Sequence, residues 1–206
     1  MKCPTKTVFV LLPAIALLCA GCANRAKIAE AKQFYILKVQ SPPRQNTQIP
    51  GIVKIRQVCA AAPYESSSFV FDLGQGRFQR DYYNQYIAPP DEQLTELLAV
   101  WLREAAVFSN TITGSSKAWP DYILEPHLLG LYCDISEKTA PVVKVAMRFV
   151  LLKIDKTRQS SRIVLDRTYR QEAKPVQAVG DDIAKSAGEA IENIFAELTE
   201  DLASVK

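Results

Sequence analysis

The stretch that decides the fold spans residues 142–169 and reads VVKVAMRFVLLKIDKTRQSSRIVLDRTY. In its first half, every second residue is large and apolar: Val143, Val145, Met147, Phe149 and Leu151. Such alternation is typical of a strand that places one face on a core. A polar segment at 155–160 predicts a turn, and Ile163, Leu165 and Tyr169 alternate again after it. The sequence therefore predicts a hairpin of two long strands.

Two amphipathic helices are predicted around this hairpin. The first begins at residues 89–91, and its apolar residues recur three and four apart: Leu94, Leu97, Leu98, Trp101, Leu102 and Ala105. The second covers residues 181–202, and its small residues predict close packing on a sheet. Shorter strands are predicted at 34–39, 52–58, 69–71, 77–83 and 122–135. The fold class that follows is α+β, a largely antiparallel sheet with both helices on one face.

One predicted strand contains a proline. Pro126 lies inside the predicted strand 122–135, and it cannot donate a backbone hydrogen bond to a neighbouring strand. We therefore expect this strand to lie at an edge of the sheet or to carry a bulge.

The N-terminus contains a cysteine pair in the segment LLCAGCAN, residues 17–24. Such a pair could be a redox dithiol, half of a zinc site or part of a processing signal. The chain has a single histidine and no second C-x-x-C, which disfavours zinc, and no βαβ pattern surrounds the pair, which disfavours a dithiol. A basic head, a short apolar run and small residues before Cys22 are typical of a secretory signal peptide.

The segment Cys19-Ala20-Gly21-Cys22 resembles a bacterial lipobox, with Cys22 as the first mature residue and the site of lipid attachment. An ordinary signal peptide cut nearby is the alternative. The lipobox divides the chain into a signal peptide (1–21), a lipidated N-terminus with its tether (22–32) and a single α+β domain (33–206). No second long apolar segment follows, so the expected attachment to the membrane is through acyl chains on Cys22.

The charge of the mature chain is close to neutral. Removing residues 1–21 takes Lys2 and Lys6 from the 25 basic residues and none of the 22 acidic ones, which leaves a net charge of +1. Nucleic-acid binding calls for a basic face, so no nucleic-acid partner is expected. The 185 remaining residues are enough for one domain with a substantial core.

Two cysteines, Cys59 and Cys133, remain in the mature chain besides Cys22. A disulfide between them is one hypothesis, because bridges persist in an oxidising compartment. Two separately buried thiols are the other hypothesis, since the sequence does not give their separation.

No catalytic pattern accompanies the single histidine. His127 lies in a predicted strand, there is no G-x-S-x-G elbow, and Ser115-Ser116-Lys117 lacks the S-x-x-K spacing of a serine acyl-enzyme. We therefore expect a protein that is not an enzyme and that uses no metal and no cofactor.

The unusual stretch of the mature chain is DYYNQYIAPP, residues 81–90. Its tyrosines fit either core packing or a protein interface, because tyrosine combines an apolar ring with a polar tip. The sequence leaves both interpretations open. On the second one, the candidate partner surface consists of Tyr82, Tyr83, Asn84, Tyr86, Pro89 and Pro90.

Together with its neighbours, this stretch resembles the ABC-type transport auxiliary lipoproteins, the paraquat-inducible protein C-like components of MCE-type lipid transport systems. The resemblance rests on the order and spacing of many weak features along nearly the whole mature chain. They are Tyr35-Ile36-Leu37, Cys59-Ala60-Ala61-Ala62-Pro63-Tyr64, Phe69-Val70-Phe71, the segment 82–90, Leu98-Ala99-Val100-Trp101-Leu102, Val107-Phe108, Asp121-Tyr122-Ile123-Leu124-Glu125, Leu131-Tyr132, the strand 143–152 and the alanine-rich last helix.

This resemblance implies a lipoprotein of a Gram-negative bacterium, anchored in the outer membrane and facing the periplasm. Its implied partners are an MCE-type substrate-binding protein and an inner-membrane ABC transporter, and the implied cargo is phospholipid or another apolar molecule. The implied role is docking without ATP binding. Open alternatives are an outer-membrane assembly lipoprotein that chaperones a barrel protein and, more distantly, a periplasmic hydrolase. A homo-oligomer is also left open.

Overall fold

A computed structural model describes residues 31–46, 48–137 and 140–205. The predicted signal peptide, Cys22 and most of the tether lie outside the described residues. From Lys32 onward the chain forms one compact unit. Neither helix of the described chain has the length and hydrophobicity that a membrane-spanning helix requires.

The described chain contains nine strands in one sheet, two α-helices and one short 3-10 turn, so the predicted α+β class is confirmed. The elements in chain order are β1 (Gln33–Tyr35), β2 (Ile49–Ile55), β3 (Cys59–Ala60), the 3-10 turn (Ala62–Tyr64), β4 (Ser68–Asp72), β5 (Phe78–Tyr86), α1 (Pro90–Glu104), β6 (Phe108–Ile112), β7 (Tyr122–Asp134), β8 (Val142–Asp155), β9 (Ser160–Ala173) and α2 (Gly180–Ala203).

The β8–β9 hairpin is the longest antiparallel ladder of the sheet, and it confirms the alternation in the sequence. Its register runs from Val143 opposite Ala173 to Asp155 opposite Ser160. The alternating apolar residues of β8 are almost completely buried: Val143, Val145, Met147, Phe149 and Leu151. The hairpin therefore supplies one wall of the core, as expected for a strand with one apolar face.

β7 is the central strand of the sheet, not the edge strand that Pro126 suggested. On one side it pairs with β8 along its whole length. On the other side three short parallel strands follow one another: β2 beside Tyr122, β3 beside His127 and β4 beside Cys133. Pro126 falls where β2 has ended and β3 has not begun, so no ladder hydrogen bond on that side requires its missing N–H. The bulge in β7 lies between Leu128 and Gly130 instead.

Both helices pack on one face of the sheet, as predicted. α1 buries Leu94, Leu98 and Leu102, and Pro90 occupies its first turn, where a missing N–H costs nothing. The two helices contact each other through Trp101, whose Nε1 donates a hydrogen bond to Thr199 Oγ1 at 2.9 Å.

β1 is shorter than the predicted strand 34–39. It pairs in parallel with the end of β5, after which residues 36–40 run between the two helices. The Leu37 N–H donates to Gln93 Oε1 of α1, and the Gln40 N–H donates to Glu192 Oε2 of α2, both at 2.9 Å. In this segment side-chain oxygens of the helices, not a neighbouring strand, accept the hydrogen bonds of these backbone N–H groups. The chain therefore leaves the sheet after Tyr35.

Candidate functional site

The single histidine has no catalytic partner in the described part of the chain. His127 is half-buried on the sheet face opposite the helices, in register with Cys59 of β3. No hydrogen bond joins the two side chains among the described residues. The nearby carboxylate of Asp166 is engaged by Arg148 in a bidentate pair at 2.7 and 2.6 Å. These groups therefore do not form a hydrogen-bonded relay of nucleophile, base and acid.

The described residues also contain no cluster of metal-ligating side chains. Among residues 31–46, 48–137 and 140–205 there is no group of three or more His, Cys, Asp or Glu side chains suited to a metal ion.

The tyrosine segment is shaped by a bulge that Asp81 stabilises. Asp81 Oδ1 accepts hydrogen bonds from the N–H groups of Tyr83 at 2.7 Å and Asn84 at 3.1 Å, and Oδ2 accepts one from Asn84 Nδ2 at 2.7 Å. The β4–β5 register shifts at this point, between the Ser68 and Val70 pairings. A bulge re-aims the side chains beside it, so the tyrosines of β5 do not share one environment.

The bulge divides the candidate partner surface into two parts. Tyr82 and Tyr83 are exposed, whereas Tyr86 is buried and its ring centroid lies 4.5 Å from that of Phe69. Burial also raises the pKa of Tyr86 strongly, because the phenolate would lose its hydration.

The other members of the candidate surface are half-buried or buried. Pro90 is buried in the first turn of α1, and Pro89 is half-buried before it. Asn84 is half-buried and accepts a hydrogen bond from the Tyr35 hydroxyl at 3.0 Å. The interface interpretation therefore needs correction for Tyr86 and Pro90, which belong to the core.

The exposed tyrosines belong to a larger apolar surface, which we call the N-terminal edge. It consists of exposed side chains from β1, from the end of β5 and from the residue that follows each strand: Phe34, Ile36, Tyr82, Tyr83 and Ile87. Tyr82 and Tyr83 contact each other edge to face at 5.2 Å, and Lys32 Nζ lies 4.3 Å from the centroid of the Tyr82 ring. Contiguous exposed apolar side chains of this kind mark interaction sites more often than isolated ones do.

A groove continues the N-terminal edge toward α2. It has a volume of about 620 Å³ and is lined by Phe34 and Ile36 on one side and by Ala184, Lys185 and Glu189 of α2 on the other. β1 is the outermost strand on this side of the sheet. Its free backbone edge is therefore accessible along the groove, which is the arrangement that lets an extended peptide add to a sheet.

Phe34, Ile36 and Ile87 also belong to this surface, although they were not predicted from the sequence. A usable signal was present, because residues 34–37 are apolar on both alternating faces of the strand. A strand with one side on the core needs only one apolar face, so the second apolar face indicates an additional contact.

The two cysteines of the domain are free thiols, so the disulfide hypothesis is wrong for this fold. Cys59 is exposed and Cys133 is buried, which also corrects the alternative of two buried thiols. Cys59 pairs with His127, six residues before Cys133 on β7. At about 3.3 Å per residue the two thiols are roughly 20 Å apart, far beyond disulfide reach.

The described chain is thus an α+β protein with one mixed sheet, a helical layer on one face and an exposed apolar edge. No family model matches the sequence, and no curated protein matches it. Solved structures do share the fold. Protein XCC0632 from Xanthomonas campestris, assigned to family DUF330, superposes with a TM-score of 0.70 at 17% identity, covering 81% of this chain and 92% of that chain.

Two further structures are similar to this chain. An uncharacterized protein gives a TM-score of 0.61 at 15% identity and covers 84% of this chain and 99% of its own. The hypothetical protein CT253 from Chlamydia trachomatis gives 0.52 at 9% identity, covering 76% and 98%. At these identities the likeness shows a shared fold alone.

Proposed function

We propose that this chain is a non-catalytic, lipid-anchored auxiliary component of a transport system that moves phospholipids or other apolar molecules between the inner and outer membranes. Its role is to dock the periplasmic components at the outer membrane. Its partners are an MCE-type substrate-binding protein and an inner-membrane ABC transporter. The sequence resemblance supports this proposal, and the fold shared with XCC0632 is compatible with it.

The observation that carries the proposal is the position of the N-terminal edge. Its apolar residues lie where the described chain begins, and Lys32 contacts the ring of Tyr82. Lys32 follows Cys22 by only ten positions, and a chain of that length spans at most about 35 Å. With acyl chains on Cys22, a partner bound at this edge is held close to the membrane. Docking at a membrane requires this arrangement.

The lipid anchor is the second part of the proposal. Several acyl groups on one cysteine give stable membrane attachment, whereas a single chain gives marginal, reversible binding. Cys22→Ser removes the acceptor, so we expect the variant to leave the membrane fraction while its mature domain remains folded. Mass spectrometry of the wild-type N-terminal peptide checks the modification directly. An unmodified Cys22 in the wild-type protein would contradict the anchor.

The test of function is affinity capture of the full-length protein from detergent-solubilised envelopes, with mass spectrometry of its partners. Tyr82→Ala combined with Tyr83→Ala truncates the exposed edge without touching the core. The matched control is Ile163→Ala, which truncates an exposed apolar side chain of β9. We expect the edge variant to recover about tenfold less MCE-type protein, the effect of losing one strong contact residue, and the control to recover the wild-type amount.

Two outcomes would overturn the docking role. The first is equal recovery of the MCE-type protein by the edge variant and the wild type. The second is capture of an outer-membrane barrel protein in its place, which would favour the assembly-lipoprotein alternative.

A further inference from the structure

The end of the sheet at which β7 begins has a different composition from the N-terminal edge. There, the loop of residues 113–121 meets the β8–β9 turn, and Asp121 fastens the two. Asp121 Oδ1 accepts a hydrogen bond from Lys156 Nζ at 2.7 Å, and Oδ2 accepts one from the Ile52 N–H at 2.9 Å. The Ile154 N–H donates to the Asp121 carbonyl oxygen at 2.9 Å. The loop is therefore tied to both β2 and β8.

Trp119 is presented to solvent on this fastened loop. Its side chain is 82% exposed, although it lies only two residues before Asp121 and next to Pro120. Leaving a tryptophan in water forgoes the favourable burial of a large apolar ring. Tryptophan is also among the residues that most often dominate the binding energy of interfaces.

Cations are numerous on the elements that Asp121 joins, and together with Trp119 they form what we call the basic end. The cations are Lys54, Lys117, Lys153, Lys156, Arg158 and Arg162. Two carboxylates, Asp121 and Asp155, pair with Lys156 at 2.7 Å and Arg158 at 3.8 Å. Within the described residues the other four cations have no carboxylate within 4.0 Å. The end therefore carries an unneutralised charge of +4 in a protein whose mature chain is nearly neutral.

Two of these cations face each other directly. Lys153 of β8 is opposite Arg162 of β9 in the ladder, and Lys153 Nζ lies 5.6 Å from the centroid of the Tyr122 ring. Like charges directly opposite on neighbouring strands destabilise a sheet. Both side chains line an open cleft of about 460 Å³ in which Lys156 and Arg158 add two further cations and Asp155 one carboxylate. An anionic group in this cleft would relieve the repulsion.

The basic end lies far from the start of the domain. Phe34 is level with Gln85 and Ser68, three residues before the pairing of Phe71 with Cys133. From that level to the start of β7 the strands run for about eight residues, or roughly 25 Å. The basic end and the N-terminal edge are therefore separate surfaces of the domain.

We infer that the basic end is a second docking site, which binds an acidic segment of a protein partner through Lys153 and Arg162 and packs Trp119 against an apolar side chain beside the carboxylates. The choice of a protein over a lipid surface rests on the proposed function, in which the chain docks protein components of a transport system. The binding itself requires no anchor. Complementary charge would also speed association and make it sensitive to salt.

The test measures binding of a labelled peptide to the full-length protein in neutral detergent by fluorescence anisotropy. The probe alternates glutamate and leucine, and a second peptide has glutamine in place of every glutamate. We expect the glutamate peptide to bind and the glutamine peptide to bind at least about tenfold more weakly. Adding salt from about 0.1 M to about 1 M shortens the screening length and should weaken the glutamate complex.

Three variants locate the binding. Lys153→Gln combined with Arg162→Gln should weaken the glutamate complex about tenfold or more, and Trp119→Ala, which leaves the charge unchanged, should weaken it by about tenfold. The control is Arg103→Gln combined with Arg170→Gln, which removes two exposed charges elsewhere and should leave the affinity at the wild-type value.

The inference is overturned by wild-type affinity in the Lys153→Gln, Arg162→Gln variant, or by equal loss in the control pair. It is also overturned if phosphatidylglycerol vesicles bind through Trp119 while the glutamate peptide does not, because the site would then be a membrane contact. A failure of MCE-type protein capture at the N-terminal edge leaves this assay unaffected, so the two proposals fail separately.

Discussion

The N-terminal edge and the basic end lie on different strands of the sheet, roughly 25 Å apart along the strand direction, and are held by different interactions. Behind the N-terminal edge, the rings of Tyr35, Phe69 and Tyr86 pack in series, with centroid distances of 5.1 and 4.5 Å. At the basic end, the carboxylate of Asp121 accepts the hydrogen bonds that join the loop to β2 and to the β8–β9 turn.

This difference predicts how each end responds to its surroundings. Apolar burial depends little on pH or on moderate salt, whereas a partly exposed carboxylate–lysine contact depends on both. The N-terminal edge should therefore present a constant surface, while the basic end can loosen or tighten with ionic conditions. Four substitution or labelling experiments test this contrast, in order of decreasing effect.

The largest effect is expected at Tyr86. Tyr86→Ala removes a buried ring from the core, and such truncations cost about 3–5 kcal/mol of unfolding free energy. Tyr83→Ala, three residues away in the same strand, should cost less than about 0.5 kcal/mol because its ring is exposed. Chemical denaturation of both variants measures the difference. Equal losses would mean that the exposed tyrosines also stabilise the fold and that the N-terminal edge is not a free surface.

A smaller loss is expected at Gly188 of α2. A methyl group added there would clash with the carbonyl oxygen of Lys38, in the segment that runs between the helices. Gly188→Ala should therefore cost about 1–3 kcal/mol, the usual range for overpacking. Gly114→Ala is the control, since an added methyl meets nothing within 4 Å there. A Gly188→Ala variant as stable as the wild type would show that residues 36–40 are not held tightly against α2.

Asp121 should have a modest effect that depends on pH. The hydrogen bond from Lys156 is the main cause that lowers the pKa of Asp121, and the Ile52 N–H adds to it. A lowered pKa means that the ionised carboxylate contributes stability above its ordinary pKa, near 4, and that this contribution is lost as pH falls toward the folded-state value. Asp121→Asn should cost about 1 kcal/mol at neutral pH, since the contact is partly exposed.

The measurement for Asp121 is the melting temperature from pH 7 down to pH 2. The difference between wild type and Asp121→Asn should shrink as the solution becomes acidic. Glu96→Gln, on the exposed face of α1, should show a pH profile parallel to that of the wild type. A constant difference between wild type and Asp121→Asn across the range would contradict the ionic fastening of the basic end.

The experiment that perturbs the protein least compares the labelling rates of its two free thiols, Cys59 and Cys133. Exposed Cys59 should react with a maleimide at once, whereas burial protects Cys133 and raises its thiol pKa to about 11. Cys133 of β7 is in register with Phe71 of β4, on the side of β7 that faces the N-terminal edge. Its labelling rate should therefore follow global unfolding and be insensitive to salt. Rapid Cys133 labelling under native conditions would show that this side opens locally.

The long elements of this fold could be predicted from the sequence because each carries its own periodic signal. The β8–β9 hairpin and α1 appear where alternation and three-to-four spacing indicated them, and α2 extends one residue beyond the predicted range at each end. Long periodic segments bury one face whatever their neighbours are, so their sequence pattern is sufficient to predict the type and the bounds of each element.

The misjudged features depend on residues that are distant in sequence. β7 is a central strand because three separate strands pair along one side of it. Pro126 is compatible with that position because it lies between two of these pairings. The outward turn of Tyr82 and Tyr83 and the burial of Tyr86 follow from the Asp81 bulge. The separation of Cys59 from Cys133 likewise follows from strand register. A sequence window around any of these residues does not contain its partner.

The arrangement of strands around β7 also bears on the order in which the sheet can form. β2, β3 and β4 all need β7 as a neighbour, and β7 lies at least 50 residues later in the chain than any of them. The β7–β8–β9 meander, by contrast, has only local antiparallel contacts, which form quickly. The meander therefore serves as the template onto which the earlier strands add. Until β7 is available, β3 has no partner strand and β2 and β4 lack β7 as a neighbour, although β4 and β5 can already form their hairpin.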